Sequence, residues 1–84
     1  MTVTVLYFAR FREQLGRDQE TLALEGVDTV MALRQHLAAR GAAYADVFAG
    51  AGPVLAAVNE VMAHAGTPLR DGDVVAFFPM LTGG

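Results

Sequence analysis

The residues best placed to do chemistry stand at the end of the sequence: Gly83-Gly84, directly after a strand-like run that closes at Pro79. Glycine lacks a Cβ, so its backbone enters conformations closed to other residues and its carbonyl carbon is open to attack from either side. Taken as a free terminus, the pair would present a carboxylate that can be threaded into another protein's active site. The rest of the chain offers little competition. His36 and His64 lie far apart, with no cysteine and no spaced acidic partner, which is poor material for a metal site or an acid–base pair. Gly50-Ala51-Gly52-Pro53 lacks the spacing of a dinucleotide fingerprint and any lysine for a phosphate loop. Asp71-Gly72-Asp73 is too short for a calcium loop and reads as a turn. No Ser/His/Asp or paired-carboxylate arrangement follows from spacing. The expectation is therefore a chain with no cofactor or metal of its own and no catalytic machinery beyond its terminal carboxylate.

Composition narrows the partners. The chain has 84 residues, enough for one domain that buries about 60 to 65% of its unfolded surface. The hydrophobic fraction of 54% includes fifteen alanines, and the longest apolar stretch, Val47 to Val58, is broken by Gly50, Gly52 and Pro53. It is too short for a membrane span, which needs about 20 residues. Met1-Thr2-Val3-Thr4 lacks the basic start and apolar core of a signal peptide, so a cytosolic location is expected. All six basic residues are arginine, and the net charge of −3 with no basic cluster makes nucleic acid a poor partner. Lysine and cysteine are both absent. Sulfur held covalently by this chain would therefore have to reside on a carboxylate and not in a persulfide.

Elements that could position such a terminus follow from periodicity. Val3 to Phe8 reads as a strand with Val3, Val5 and Tyr7 facing a core, and Gln19 to Glu25 as a second, with Gly16-Arg17-Asp18 as the bend between them. Asp28 or Thr29 to Arg40 reads as a helix: a capping residue, then Val30, Leu33 and Leu37 at helical spacing, then Gly41 past its end. An Ala/Gly-rich connection carrying Tyr44 and Phe48 leads to strand Val54 to Val58, a turn at Asn59-Glu60 and a short Val61-Met62-Ala63 run. After a turn over 67–73, Val74 to Phe78 is apolar on both faces and reads as central in the sheet. The order predicts an α+β roll with one helix packed across a mixed sheet. On its far side Leu6 and Phe8 should form an apolar patch with Phe78, completed by Met62, of the kind that marks an interface.

The stretches Phe8-Ala9-Arg10-Phe11-Arg12-Glu13, Thr29-Val30-Met31-Ala32-Leu33-Arg34-Gln35-His36-Leu37, Leu55-Ala56-Ala57-Val58-Asn59 and Leu69-Arg70-Asp71-Gly72-Asp73-Val74-Val75-Ala76-Phe77-Phe78-Pro79, ending Thr82-Gly83-Gly84, together resemble the small subunit of molybdopterin synthase. Each piece alone is weak, but their order and spacing in so short a chain are specific. Family members often carry a second proline where this chain has Met80. The resemblance implies a ubiquitin-like β-grasp domain over 1–79 with a flexible tail over 80–84. It also implies a cytoplasmic sulfur carrier working within a heterotetrameric synthase.

In that family an adenylyltransferase of the ubiquitin-activating type uses ATP to adenylate the terminal carboxylate, and sulfur delivered to it leaves a thiocarboxylate. The large subunit of molybdopterin synthase then uses that sulfur to convert cyclic pyranopterin monophosphate to molybdopterin. By this resemblance Gly84 carries the sulfur and Gly83 provides clearance, while Phe8, Met62, Phe78, Met80, Leu81 and Thr82 meet the partners. Residues 80–84 would reach about 16 to 18 Å when extended. Ordering them costs on the order of 1 to 2 kcal/mol each, so the globular body must supply much of the binding energy. Two other readings stay open: a related carrier for thiamine or thionucleoside synthesis or a protein modifier, and an inert adaptor whose tail is incidental.

Overall fold

The computed structural model describes residues 1–50 and 52–80. Among the described residues the elements run β1 (Thr2–Tyr7), α1 (Arg10–Leu15), β2 (Gln19–Ala23), α2 (Val30–Ala38), α3 (Ala42–Phe48), β3 (Val54–Val58), β4 (Val61–Ala63) and β5 (Val74–Pro79). The strands form one mixed sheet in the order β2-β1-β5-β3-β4. β1 and β5 pair in parallel at its centre, with Val5 opposite Val75 and Tyr7 opposite Phe77. The remaining pairs are antiparallel. The all-apolar last strand is indeed central, as expected of a strand covered on both long edges.

Alternation decides which side chains enter the core. Val3, Val5 and Tyr7 from β1, Ala56 from β3 and Val75 and Phe77 from β5 point to one face and are buried there. Val30, Leu33 and Leu37 close over them from α2. Each large apolar side chain hidden in this way contributes about 1.5 to 3 kcal/mol, so this layer dominates the stability. Thr29 starts α2 as the helix cap: its Oγ1 accepts the Ala32 N–H at 3.1 Å. The helix ends at Ala38, two residues short of the expected Arg40, and Gly41 serves instead as the residue before α3.

Two segments differ from the sequence expectation. Residues 42–48, expected as a plain connection, form α3, and residues 10–15, where no element was expected between the first strand and the bend at Gly16-Arg17-Asp18, form α1. Both helices are justified by what they bury. Phe48 lies 5.0 Å from the Phe77 ring and 6.2 Å from those of Tyr7 and Phe11, which makes it the hub of the aromatic core. Neither helix has a side-chain cap at its start. Isolated segments this short do not nucleate well in water, so they form because the core accepts their apolar faces.

Candidate functional site

The opposite face of the sheet carries no helix among the described residues; it is polar toward β2, where the Thr4 and Thr21 hydroxyls meet at 3.4 Å, and apolar over the end of β1, β5 and β3. Register sets its rows: Leu6 lies opposite Ala76, Ala76 opposite Ala57 and Ala57 opposite Met62, while Phe78 lies opposite Leu55. Phe8 extends β1 by one step, donating its N–H to the Phe77 carbonyl at 3.2 Å. Phe8 is 45% exposed and Met62 63%, and Phe78 is half-buried. The expected patch of Leu6, Phe8, Phe78 and Met62 is therefore brought onto one surface, as period-2 alternation requires. Because Ala76 is small, a groove of about 420 Å³ opens above it, lined by Leu6, Phe8, Asn59, Glu60, Val74 and Ala76. Leu55, Ala57, Val74 and Ala76 were not singled out from sequence. Their strands are apolar on both faces, so composition does not set these small and aliphatic residues apart from core ones, although alternation places Phe78 opposite to Phe77.

The last strand delivers the chain to the same region. Parallel pairing of β1 with β5 puts the C-terminal ends of both strands side by side, so Phe8 and the Pro79-Met80 exit share one end of the sheet. Pro79 is buried opposite Val54, and Met80 is half exposed. Leu81, Thr82, Gly83 and Gly84 lie outside the described residues. Beside the groove, the Asn59-Glu60 turn is fastened by the Asn59 side chain, whose Nδ2 donates to Asp73 at 2.9 Å and whose Oδ1 accepts the Val74 N–H at 3.0 Å. The Arg70 backbone N–H, with help from the Asn59 amide, holds the Asp73 carboxyl below its ordinary range.

The strongest electrostatic cluster lies elsewhere and was missed from sequence. Glu20, on the core side of β2, accepts hydrogen bonds from the Tyr7 hydroxyl at 2.7 Å, Tyr44 at 2.9 Å, Arg40 at 2.8 Å and Arg17 at 3.0 Å. Burial alone would raise its pKa, but the bonds from Tyr7, Arg40 and Tyr44 together outweigh this and hold it below the ordinary carboxylate value. Burial, and then the bond to Glu20, pushes both tyrosine hydroxyls up. A carboxylate with its acceptor sites filled is a clamp, not a base. It ties β1, β2, α3 and the end of α2 together, and no pair spacing in the sequence announces contacts this distant.

His36 and His64 are exposed. The His64 Nδ1 accepts the Gly66 N–H at 3.1 Å, a local turn contact. Among the described residues no group of three or more His, Asp or Glu converges as a metal site would need, and no helix is long and apolar enough to cross a membrane.

Comparison with known proteins agrees with this architecture. The ThiS family matches residues 5–84. The chain is 46% identical to the molybdopterin synthase sulfur carrier subunit of Escherichia coli (strain K12), over 98% of its own length and 99% of the relative's. A solved structure described as a molybdopterin converting factor subunit 1 from Pyrococcus furiosus superposes with a TM-score of 0.79 at 32% identity, covering 96% of this chain and 99% of that one. SAMP1 from Haloferax volcanii, a small archaeal modifier protein, superposes with a TM-score of 0.81 at 25% identity and full coverage of both chains. The fold is the ubiquitin-like β-grasp, and the chain belongs to the ThiS family, among the molybdopterin synthase sulfur carrier subunits.

Proposed function

We propose that this protein is the sulfur carrier subunit of a molybdopterin synthase, with the Gly84 carboxylate as the carrier group. The observation that supports this best is the 46% identity extending across 98% of the chain, with the relative covered to 99%. A carboxylate is a poor electrophile. An activating enzyme of the ubiquitin-activating type therefore joins it to AMP from ATP, releasing pyrophosphate, and a sulfur nucleophile displaces the AMP to leave a thiocarboxylate. Gly83 gives the attacked carbonyl clearance. Inside the large synthase subunit the thiocarboxylate passes its sulfur to cyclic pyranopterin monophosphate.

The body's share of the work is binding. Its open face, with Phe8, Phe78 and Met62, docks on the large subunit and on the activating enzyme, while Met80, Leu81 and Thr82 lead the terminus into each active site. Aromatic side chains of this kind are effective anchors when desolvated. The absence of any membrane-crossing helix among the described residues suits work in the cytoplasm.

The likeness to the archaeal modifier protein keeps a second reading in view, in which the same terminus is joined to amines of other proteins. Intact mass separates the two. With ATP, the activating enzyme and a sulfur donor, the chain should gain the mass difference between sulfur and oxygen, all of it on the C-terminal peptide. Adding the large subunit and cyclic pyranopterin monophosphate should return the mass to that of the carboxylate as molybdopterin forms. Stable isopeptide products without pterin would overturn the carrier in favour of the modifier.

A further inference from the structure

The turn after β1 holds a backbone strain that no side chain offsets. Among the described residues three that are not glycine have left-handed φ: Ala9 at 55°, Asn59 at 50° and Glu60 at 70°. All three adjoin the groove, since Asn59 and Glu60 line it and Ala9 follows Phe8, which also lines it. For Asn59 and Glu60 the cause is local. A two-residue hairpin loop needs positive φ at both positions, and the Asn59 amide anchors the turn to Asp73 and Val74. Ala9 has no such cause. With φ 55° and ψ −133° it occupies the first central position of a type II′ turn, where glycine is favoured, and its methyl group offers no compensating bond.

The consequence of the turn is a division of two aromatic residues. The Phe8 N–H donates to the Phe77 carbonyl at 3.2 Å, and the Phe8 carbonyl accepts the Phe11 N–H at 3.1 Å, so the backbone of Phe8 is pinned on both sides. Phe11 is thereby turned into the core at 2% exposure, while Phe8, three residues earlier, stays 45% exposed on the groove. Strain of this type persists where surrounding structure over-determines it, and it concentrates at functional sites.

We propose that Ala9 is a positioning residue: its positive-φ type II′ conformation fixes the Phe8-Ala9-Arg10-Phe11 turn and holds the Phe8 ring in its docking orientation before a partner arrives. Glycine takes either sign of φ readily, so Ala9→Gly relieves the strain but lets the turn leave the conformation that makes the Phe11 N–H bond to the Phe8 carbonyl, and the Phe8 ring then samples more orientations. A partner that accepts one orientation then meets it at lower population, and apparent affinity falls by that fraction. This rests on the reading of the open face as the surface that meets the large synthase subunit.

The test measures binding of the purified large subunit from the same cell, by calorimetry, to the wild-type chain, Phe8→Ala, Ala9→Gly and the double variant, with thermal unfolding of each. Ala9→Gly is expected to raise Tm by about 4 to 8 °C. It should weaken binding about 3- to 10-fold, and that loss should vanish when Phe8 is already alanine. A lowered Tm, wild-type affinity in Ala9→Gly, or an equal loss in the Phe8→Ala background would overturn the role of Ala9. Should Phe8→Ala itself bind like the wild type, the docking face is misassigned and the role of Ala9 falls with it. If Phe8→Ala weakens binding while Ala9→Gly does not, the face stands and the positioning role alone is lost.

Discussion

At the scale of the residue, Glu20 shows how one side chain can decide the behaviour of a small domain. Its four donors come from β1, α3, the end of α2 and the bend before β2, and the Tyr7 hydroxyl among them belongs to a side chain only 1% exposed. Removing the acceptor strands that hydroxyl away from water. Glu20→Ala is therefore expected to lower unfolding free energy by about 2 to 4 kcal/mol in urea titrations, the sum of lost charge-assisted bonds and an unsatisfied buried group. Loss within about 0.5 kcal/mol, the range of neutral surface changes, would show the cluster to be ornamental. The same carboxylate gives a pH dependence. Its folded pKa lies below the ordinary value of 4.5, so its contribution is complete above about that pH and is lost as pH falls through the folded pKa. Acid unfolding of Glu20→Gln should accordingly show less pH dependence than the wild type below about pH 4.5.

At the scale of the element, α3 contributes the central ring of the aromatic core. Phe48→Ala removes the ring that touches Tyr7, Phe11 and Phe77, and such core truncations cost about 3 to 5 kcal/mol. Were residues 42–48 a plain connection, the loss would be that of a surface change, and a thermal melt distinguishes the two outcomes. The signal for α3 was present in Tyr44, Val47 and Phe48, which stand at helical spacing, but alanines and Gly41 around them resemble a loop and no side chain caps the start. α1 had still less to show, since only Phe11 and Leu15 mark its inner face. Where period 2 or a real cap operated, sequence was legible: a cap at Asp28 or Thr29, of which Thr29 does the capping, Asn59-Glu60 as the hairpin turn, and Val75 and Phe77 as core with Phe78 outside. The apolar patch followed from the same alternation. The Glu20 clamp and the strained Ala9 did not, because both depend on approach between distant parts of the chain or on a dihedral angle that composition does not encode.

At the scale of the whole molecule, body and tail should fail in different ways. The buried core described here runs from Val3 to Phe77, so deleting Gly84 removes none of it, and the thermal midpoint should be unchanged. Binding to the large subunit should also persist, because Phe8, Phe78 and Met62 remain in place. Transfer should vanish, since the carboxylate is withdrawn by one residue, and a misplacement of even about 1 Å can lower a rate roughly 10²-fold. Phe78→Asp should do the reverse. Its half-buried position on the open face makes a carboxylate tolerable in the free protein but places a charge in a docked apolar interface, weakening affinity by about 2 kcal/mol or more, some 30-fold. At saturating carrier, however, its bound form should transfer sulfur near the wild-type rate. A steady-state series in carrier concentration therefore separates them: a raised KM with retained kcat for Phe78→Asp, and an abolished kcat with retained binding for the truncation. If Phe78→Asp unfolds globally, Phe78 belongs to the core; if the truncated chain still yields molybdopterin, the sulfur does not travel on Gly84.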